Sequence, residues 1–388
     1  MTRGGFPPEA LIGAALSLAA CGDGIAIRLG GGGGGLSSDS AADVSELPDG
    51  GLPDGSDGSA GSLCATGGES VPAAMSSGLL AELEGFGERT YGGRDGCLYR
   101  VVNNNDEGSG SLRYGLEQPD ASWIVFEGNF EIELSRDILP LSNKTVDGRG
   151  HIVTIRNYGL VVSNQNNLII ESVEFVGLQD DSGDQNRDAV RLDQASYNVW
   201  IDHCRFSHYE DGLVDVIGGA TDVTISWSHF LVHNRVMLFG NENDETTAPN
   251  MRVTLHHNWF DHTMTYQPRI RYGFVHMFNN FLDTWQDYGV AASQDSTLFS
   301  ESNVFLAGGS DEAIILATGS DSVDGSVNSE NDLLLNGAVI IENNPELVTP
   351  PTYAYLSLER IDVDAGADGG ADAATAVQTS VTAGAGPR

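Results

Sequence analysis

Positive charge is scarce in this sequence: 19 Lys and Arg stand against 55 Asp and Glu in 388 residues, a formal net charge of -36. That imbalance argues against nucleic acid, whose binding rests on cations that neutralise phosphates. It argues equally against an anionic membrane surface. Long apolar runs are missing too, and none reaches the roughly 18 residues that would span a bilayer. Cysteine is sparse, at four residues, and no Cys/His spacing suggests a zinc site. Helical periodicity is almost absent. Glycine is plentiful, at 49 residues, and 40% of the chain is hydrophobic, which excludes a wholly disordered chain.

The two ends differ from the middle. Residues 1–21 read as an export signal, with Arg3, the small and apolar stretch Ala10 to Ala20, and then Cys21. Leu18-Ala19-Ala20-Cys21 resembles a bacterial lipobox, which predicts a lipid on Cys21 as the one link to a membrane and an outer-membrane or cell-surface location. Residues 22–63 are rich in Gly, Ser, Asp and Pro, including the run Gly30 to Gly35, and read as a flexible tether. Residues 64–361 read as the folded domain. Residues 362–388, without periodicity, read as a disordered tail. Export would permit a disulfide, and the expected pair is Cys64 with Cys97, which leaves Cys204 as a lone buried thiol.

Between the ends lies a repeat. Six segments share alternating apolar positions, then polar or small residues, then an aromatic: Leu168 to Phe175, Val199 to Phe206, Val223 to Phe230, Val253 to Phe260, Val275 to Phe281 and Leu298 to Phe305. Their starts are 31, 24, 30, 22 and 23 residues apart. The fifth is one residue short of the aromatic register. Period-two alternation predicts strands, and a strand recurring once per coil predicts an all-β, right-handed parallel β-helix with a groove built from loops. Asn258, Asn280 and Asn303 share one register and predict an inward ladder. A β-sandwich is the alternative, though it favours strands every 8–12 residues or so.

Within the repeat, Asp188 precedes a strand, and Asp211 and Asp215 follow one coil later. A spacing of four on an extended chain places Asp211 and Asp215 on one face, and a neighbouring coil brings Asp188 alongside, about 4.8 Å away. Three carboxylates so close repel one another unless a cation lies between them, and such oxygen ligands suit Ca²⁺. Solvated turn aspartates are the plainer reading. Asp202, His203, His256, His257 and His276 read as structural residues of the stack, and Trp285 with Tyr288 as candidates for a sugar groove.

Several motifs, in one order, resemble an extracellular pectate lyase of the parallel β-helix kind. They are Gly85-Phe-Gly-Glu-Arg-Thr-Tyr-Gly-Gly93, Gly108-Ser-Gly-Ser-Leu-Arg-Tyr114, Lys144-Thr-Val-Asp-Gly-Arg-Gly150, Val199-Trp-Ile-Asp-His203, Asp211-Gly-Leu-Val-Asp215, Val223-Thr-Ile-Ser226 and Pro268-Arg-Ile-Arg271. The resemblance covers roughly residues 80–310. It implies cleavage of de-esterified homogalacturonan (polygalacturonate, or pectate) by β-elimination, with Ca²⁺ as cofactor, in a secreted monomer. The implied calcium ligands are Asp188, Asp211 and Asp215, with Asn186 where the family often has another Asp. Ca²⁺ would draw charge from the substrate carboxylate and so acidify the neighbouring C5 proton. It would also let an acidic protein hold a polyanion.

Two positions depart from the family pattern. A substrate-binding Lys is replaced by Arg235, which can still pair with a uronate. The pattern Arg-x-Pro-x-x-Arg, whose first Arg accepts the proton, reads here Tyr266-Gln-Pro-Arg-Ile-Arg271. Arg271 survives, and Tyr266 stands at the base. Either Tyr266 takes the proton, since a phenol ionises more easily than a guanidinium, or Arg269 swings in, or the protein is a non-catalytic surface module that binds pectate. Arg235, Arg269 and Arg271 are the expected substrate-binding cations. A β-helix glycoside hydrolase using Asp211 and Asp215 is a third class. A lyase leaves an unsaturated sugar end, a hydrolase a reducing end without the double bond, and a binding module neither.

Overall fold

The computed structural model describes residues 64, 68–178, 187–241, 250–317, 319, 321, 323–341, 343–361 and 369–388, with backbone only for 369–374. The export segment, Cys21 and the tether 22–63 lie outside the described residues, as does Asn186.

The repeat folds as a parallel β-helix. Three sheets of ten, nine and eight strands run along it, each strand pairing in parallel with its equivalents in adjoining coils. Each eight-residue repeat is two strands rather than one. Leu168 to Phe175, for example, is divided between strand Asn166–Glu171 of the ten-stranded sheet and strand Glu174–Val176 of the nine-stranded sheet. The chain turns between them on a residue of positive φ: Ser172 (56°), His203 (48°), Trp227 (46°), His257 (54°), Asn279 (50°) and Ser302 (53°). Bulky residues rarely adopt this conformation. Bonds between coils hold it, as where the His203 N–H donates to the Ser226 carbonyl at 3.1 Å and the Trp227 N–H to that of His256 at 3.1 Å.

In-register parallel pairing places like residues on like. Phe175, Phe206, Phe230 and Phe260 stack inside at centroid separations of 5.1, 5.1 and 5.2 Å. Leu282 and Phe305 continue the row, so the displaced Phe281 falls instead in the row of Trp259. At the corner, Asn258 Nδ2 donates to Asn280 Oδ1 at 3.0 Å, and Asn280 Nδ2 to Asn303 Oδ1 at 2.8 Å. The ladder ends on Asp332, which accepts from Asn303 at 3.0 Å. It satisfies backbone groups that the tight turn would otherwise leave unpaired. His256, His257 and His276 are buried within the stack. Cys64 is disulfide-bonded to Cys97, and Cys204 is free and buried.

The disordered tail expected over 362–388 is corrected in its described part. Gly369–Gly384 is a helix, and Val377 and Val381, one turn apart, bury against Phe281, Val304 and Ile361. A small apolar stripe of this kind becomes stable only by packing on a sheet already formed. Beyond it, the Gly386 N–H donates to the Trp227 carbonyl at 2.8 Å, and Arg388 reaches the corner of the ten-stranded sheet.

Candidate active site

Strands Val190–Asp193, Val214–Val216, Leu238–Phe239 and Arg269–Arg271 lie side by side in the eight-stranded sheet. Alternation turns Val190, Leu192, Val214, Val216, Phe239 and Ile270 into the core. The other face carries Arg191 beside Asp215, and Leu238 beside Arg269.

Asp188 and Asp215 come together by a route that their spacing does not describe, and Asp211 does not join them. Only Asp215 lies on a strand, while Asp211 sits in the preceding turn. Asp188 reaches over Gly212, whose N–H donates to Asp188 Oδ1 at 2.8 Å. A Cβ on Gly212 would stand 2.4 Å from Asp215 Oδ1 and 3.0 Å from Asp188 Oδ1, so only glycine lets the two carboxylates close around this turn. Asp215 Oδ1 also accepts from the Leu238 N–H at 3.0 Å. Asp211 is turned onto Arg235, whose Nη1 donates to its Oδ1 at 3.0 Å, and its carbonyl accepts from His233 Nε2 at 2.6 Å.

Asp188 and Asp215 are both buried, and burial, then repulsion from the neighbouring aspartates, pushes their carboxyls above the ordinary range. Arg191 is 4.0 Å from Asp188 and closer, at 3.5 Å, to Asp193. This is an all-oxygen donor set whose negative charge is poorly met by protein, and its chemistry fits a hard divalent cation such as Ca²⁺. Asp211 could complete the set by leaving Arg235. Among the described residues, the groups of three whose ligand atoms lie within 4.8 Å of one another are Glu171, Asp202 and His203, and Asp261, His262 and Asp283; the expected trio of Asp188, Asp211 and Asp215 is not so close.

Two coils beyond Asp215, the expected base Tyr266 and two of the three expected cations, Arg269 and Arg271, form one cluster. Arg269 Nη1 donates to Tyr266 Oη at 2.6 Å, and its guanidinium carbon lies 5.2 Å from the Tyr266 ring centre. Arg269 and Arg271, which alternation puts on one face, both bind Asp321. Arg269 Nη2 is 2.8 Å from Oδ2, and Arg271 Nε is 2.9 Å from Oδ1. The Ser293 hydroxyl lies 2.7 Å from Oδ2. Burial alone would raise the Asp321 carboxyl, but Ser293 and the two guanidiniums outweigh it and hold it below its usual range.

Arg269 and Arg271 are thus buried and engaged, whereas Arg235 keeps 57% of its side chain exposed. Asp321 was not legible in the sequence, since no motif or periodicity marks it. Trp285 and Tyr288 do not line a groove. Trp285 is fully buried, and Tyr288 is 7% exposed with its ring 6.2 Å from that of Tyr266.

Comparison with known proteins bears on this site. Residues 120–356 match the family model described as pectate lyase. The chain is 36% identical to a pectate lyase of Nicotiana tabacum over 247 residues, spanning 58% of this chain and 61% of that one. It is 32% identical to pectate lyase 4 of Ambrosia artemisiifolia, over 68% of this chain and 73% of that one. Among solved structures, the major allergen of cedar pollen superposes with a TM-score of 0.66 at 30% identity, covering 79% of this chain and 93% of that one. A pectate lyase from Bacillus sp. N165, solved in complex with trigalacturonate, superposes with a TM-score of 0.61 over 79% of this chain and 98% of its own; at 23% identity it is a likeness of fold alone.

Proposed function

The chain belongs to the pectate lyase family, and from that premise we propose that it cleaves de-esterified homogalacturonan by Ca²⁺-dependent β-elimination. The observation that carries the reading is the pair of buried carboxylates, Asp188 and Asp215, closed around Gly212 beside the exposed Arg235. Ca²⁺ held by Asp188, Asp215 and Asp211, with Asn186 as a further candidate, would offset the charge of a uronate carboxylate and so make its C5 proton more acidic.

Arg235 takes the substrate carboxylate in this proposal, exchanging Asp211 for it. The role expected of Arg269 and Arg271 in binding uronate is not carried forward, because both face Asp321. Tyr266, as phenolate, accepts the C5 proton. The C–H pair becomes the C4–C5 double bond, the C4–O bond breaks, and the departing oxygen takes a proton from solvent, to which Tyr266 returns its own. Arg269, donating to Tyr266 Oη, is placed to stabilise negative charge on that oxygen.

Ultraviolet absorbance of the unsaturated product on polygalacturonate, with and without chelator, tests the reading. Product that forms only with Ca²⁺ and disappears in Tyr266→Phe supports it. Wild-type turnover by Tyr266→Phe removes Tyr266 from the step. Tyr266 in place of the family's arginine also favours a second reading, a pectate-binding module, which predicts calorimetric binding of oligogalacturonide without product. Export through residues 1–21, with or without a lipid at Cys21, is a separate proposal that the mass of the mature N-terminus decides.

A further inference from the structure

We propose that Asp321 is a positioning residue for the elimination, holding the Arg269 guanidinium against the oxygen of Tyr266. The proposal rests on the reading of Tyr266 as proton acceptor and adds a residue that the site's motifs do not contain. Two contacts and the rigidity of the guanidinium carry it. Asp321 lies 52 residues from Arg269 in sequence, yet its carboxylate is fully buried against Arg269 Nε and Nη2, at 3.3 and 2.8 Å. The guanidinium is planar, so fixing that edge fixes where Nη1 points. Nη1 points at Tyr266 Oη, at 2.6 Å.

Arg271 shares the carboxylate but is placed differently. Its Nη1 also donates to the Asn241 carbonyl at 2.8 Å, an anchor independent of Asp321. The Tyr266 ring is backed by Tyr288 and overlaid by Arg269. A donor aimed at an oxygen where charge appears is worth more than one that must reorganise. Asp321 therefore acts through Arg269, while Arg271 and Ser293 hold Asp321 itself.

A double-mutant cycle tests this. Asp321→Asn and Arg269→Gln are each expected to lower kcat about tenfold with KM within about threefold, and the double variant is expected to be no slower than either alone. Asp321→Glu should recover part of the loss. Independent, multiplying losses would overturn the proposal, as would an Asp321→Asn variant that loses thermal stability but keeps wild-type kcat. If the wild type forms no unsaturated product, the lyase reading falls, and a crystal structure of Asp321→Asn still decides the positioning claim. Arg269 withdrawn from the Tyr266 oxygen supports it, and Arg269 unmoved overturns it.

Discussion

Two places in this β-helix bury carboxylates in adjacent coils, and they differ in how the charge is met. On the ten-stranded sheet, Glu171 and Asp202 are register neighbours. Arg388 reaches Glu171 at 3.1 Å, Glu82 at 2.6 Å and Asp202 at 3.8 Å. His203 Nδ1 lies 2.7 Å from Asp202, and Ser226 donates to Asp202 at 2.5 Å. On the eight-stranded sheet, Asp188 and Asp215 receive backbone N–H groups, with Arg191 at 4.0 Å. The first cluster carries its own cation on the chain and closes the fold. In our proposal the second takes its cation from outside. The same residue type thus serves architecture in one sheet and, in our proposal, chemistry in another.

The comparison breaks most visibly if the second cluster is not needed for turnover. Asp215→Asn is expected to reduce Ca²⁺-dependent product formation by about 10²–10³-fold, the scale of losing one preorganised electrostatic contact. Activity that survives this change, or survives a chelator, would dissolve the distinction. The complementary change, Arg388→Ala, should leave the Ca²⁺ response intact and lower unfolding stability by about 2 kcal/mol, less than a fully buried pair because Arg388 is partly exposed.

That loss depends on pH with a definite sign. Burial, followed for Glu171 by repulsion from Asp202, pushes Glu171 up to about 8, and burial pushes Asp202 up to about 6. Carboxyls whose folded values lie above the unfolded ones give stability that is full at acid pH and lost as pH rises through the folded values. The deficit of Arg388→Ala, read from melting temperatures, should therefore be small near pH 5 and grow towards pH 8. A deficit that shrinks over that range would contradict the assignment of Arg388 as counter-ion.

A finer test compares stability alone. In chelator, Asp215→Asn removes a buried charge while keeping an acceptor for the Leu238 N–H, so its stability should be unchanged or raised by about 1 kcal/mol. A marked fall would mean that Asp215 is as structural as Glu171. The smallest effect is expected at the rim. Arg235→Lys restores the family's usual residue on an exposed position and should change KM for polygalacturonate by about threefold or less, with kcat unaltered.

Much of this was legible along the chain, for a reason that individual residues make plain. Phe175, Phe206, Phe230 and Phe260 recur because every coil meets the same neighbours above and below, and Asn258, Asn280 and Asn303 recur for the same cause. The two-strand form of each repeat was not legible, because Ser172, His203 and Trp227 bear no common mark of the left-handed turn they make. Trp285 showed only its type, and burial is decided by what lies over it.

By itself the sequence determined the coil period, the inward rows, the disulfide pair and the family, all written in residues that repeat or cluster locally. Tertiary structure alone decided that Asp188 and Asp215 close on Gly212, that Asp321 holds Arg269, and that Arg388, 217 residues from Glu171, answers its charge. A periodic stack imprints its own neighbours on the chain, whereas a contact made once, across many coils, leaves no periodic trace to read.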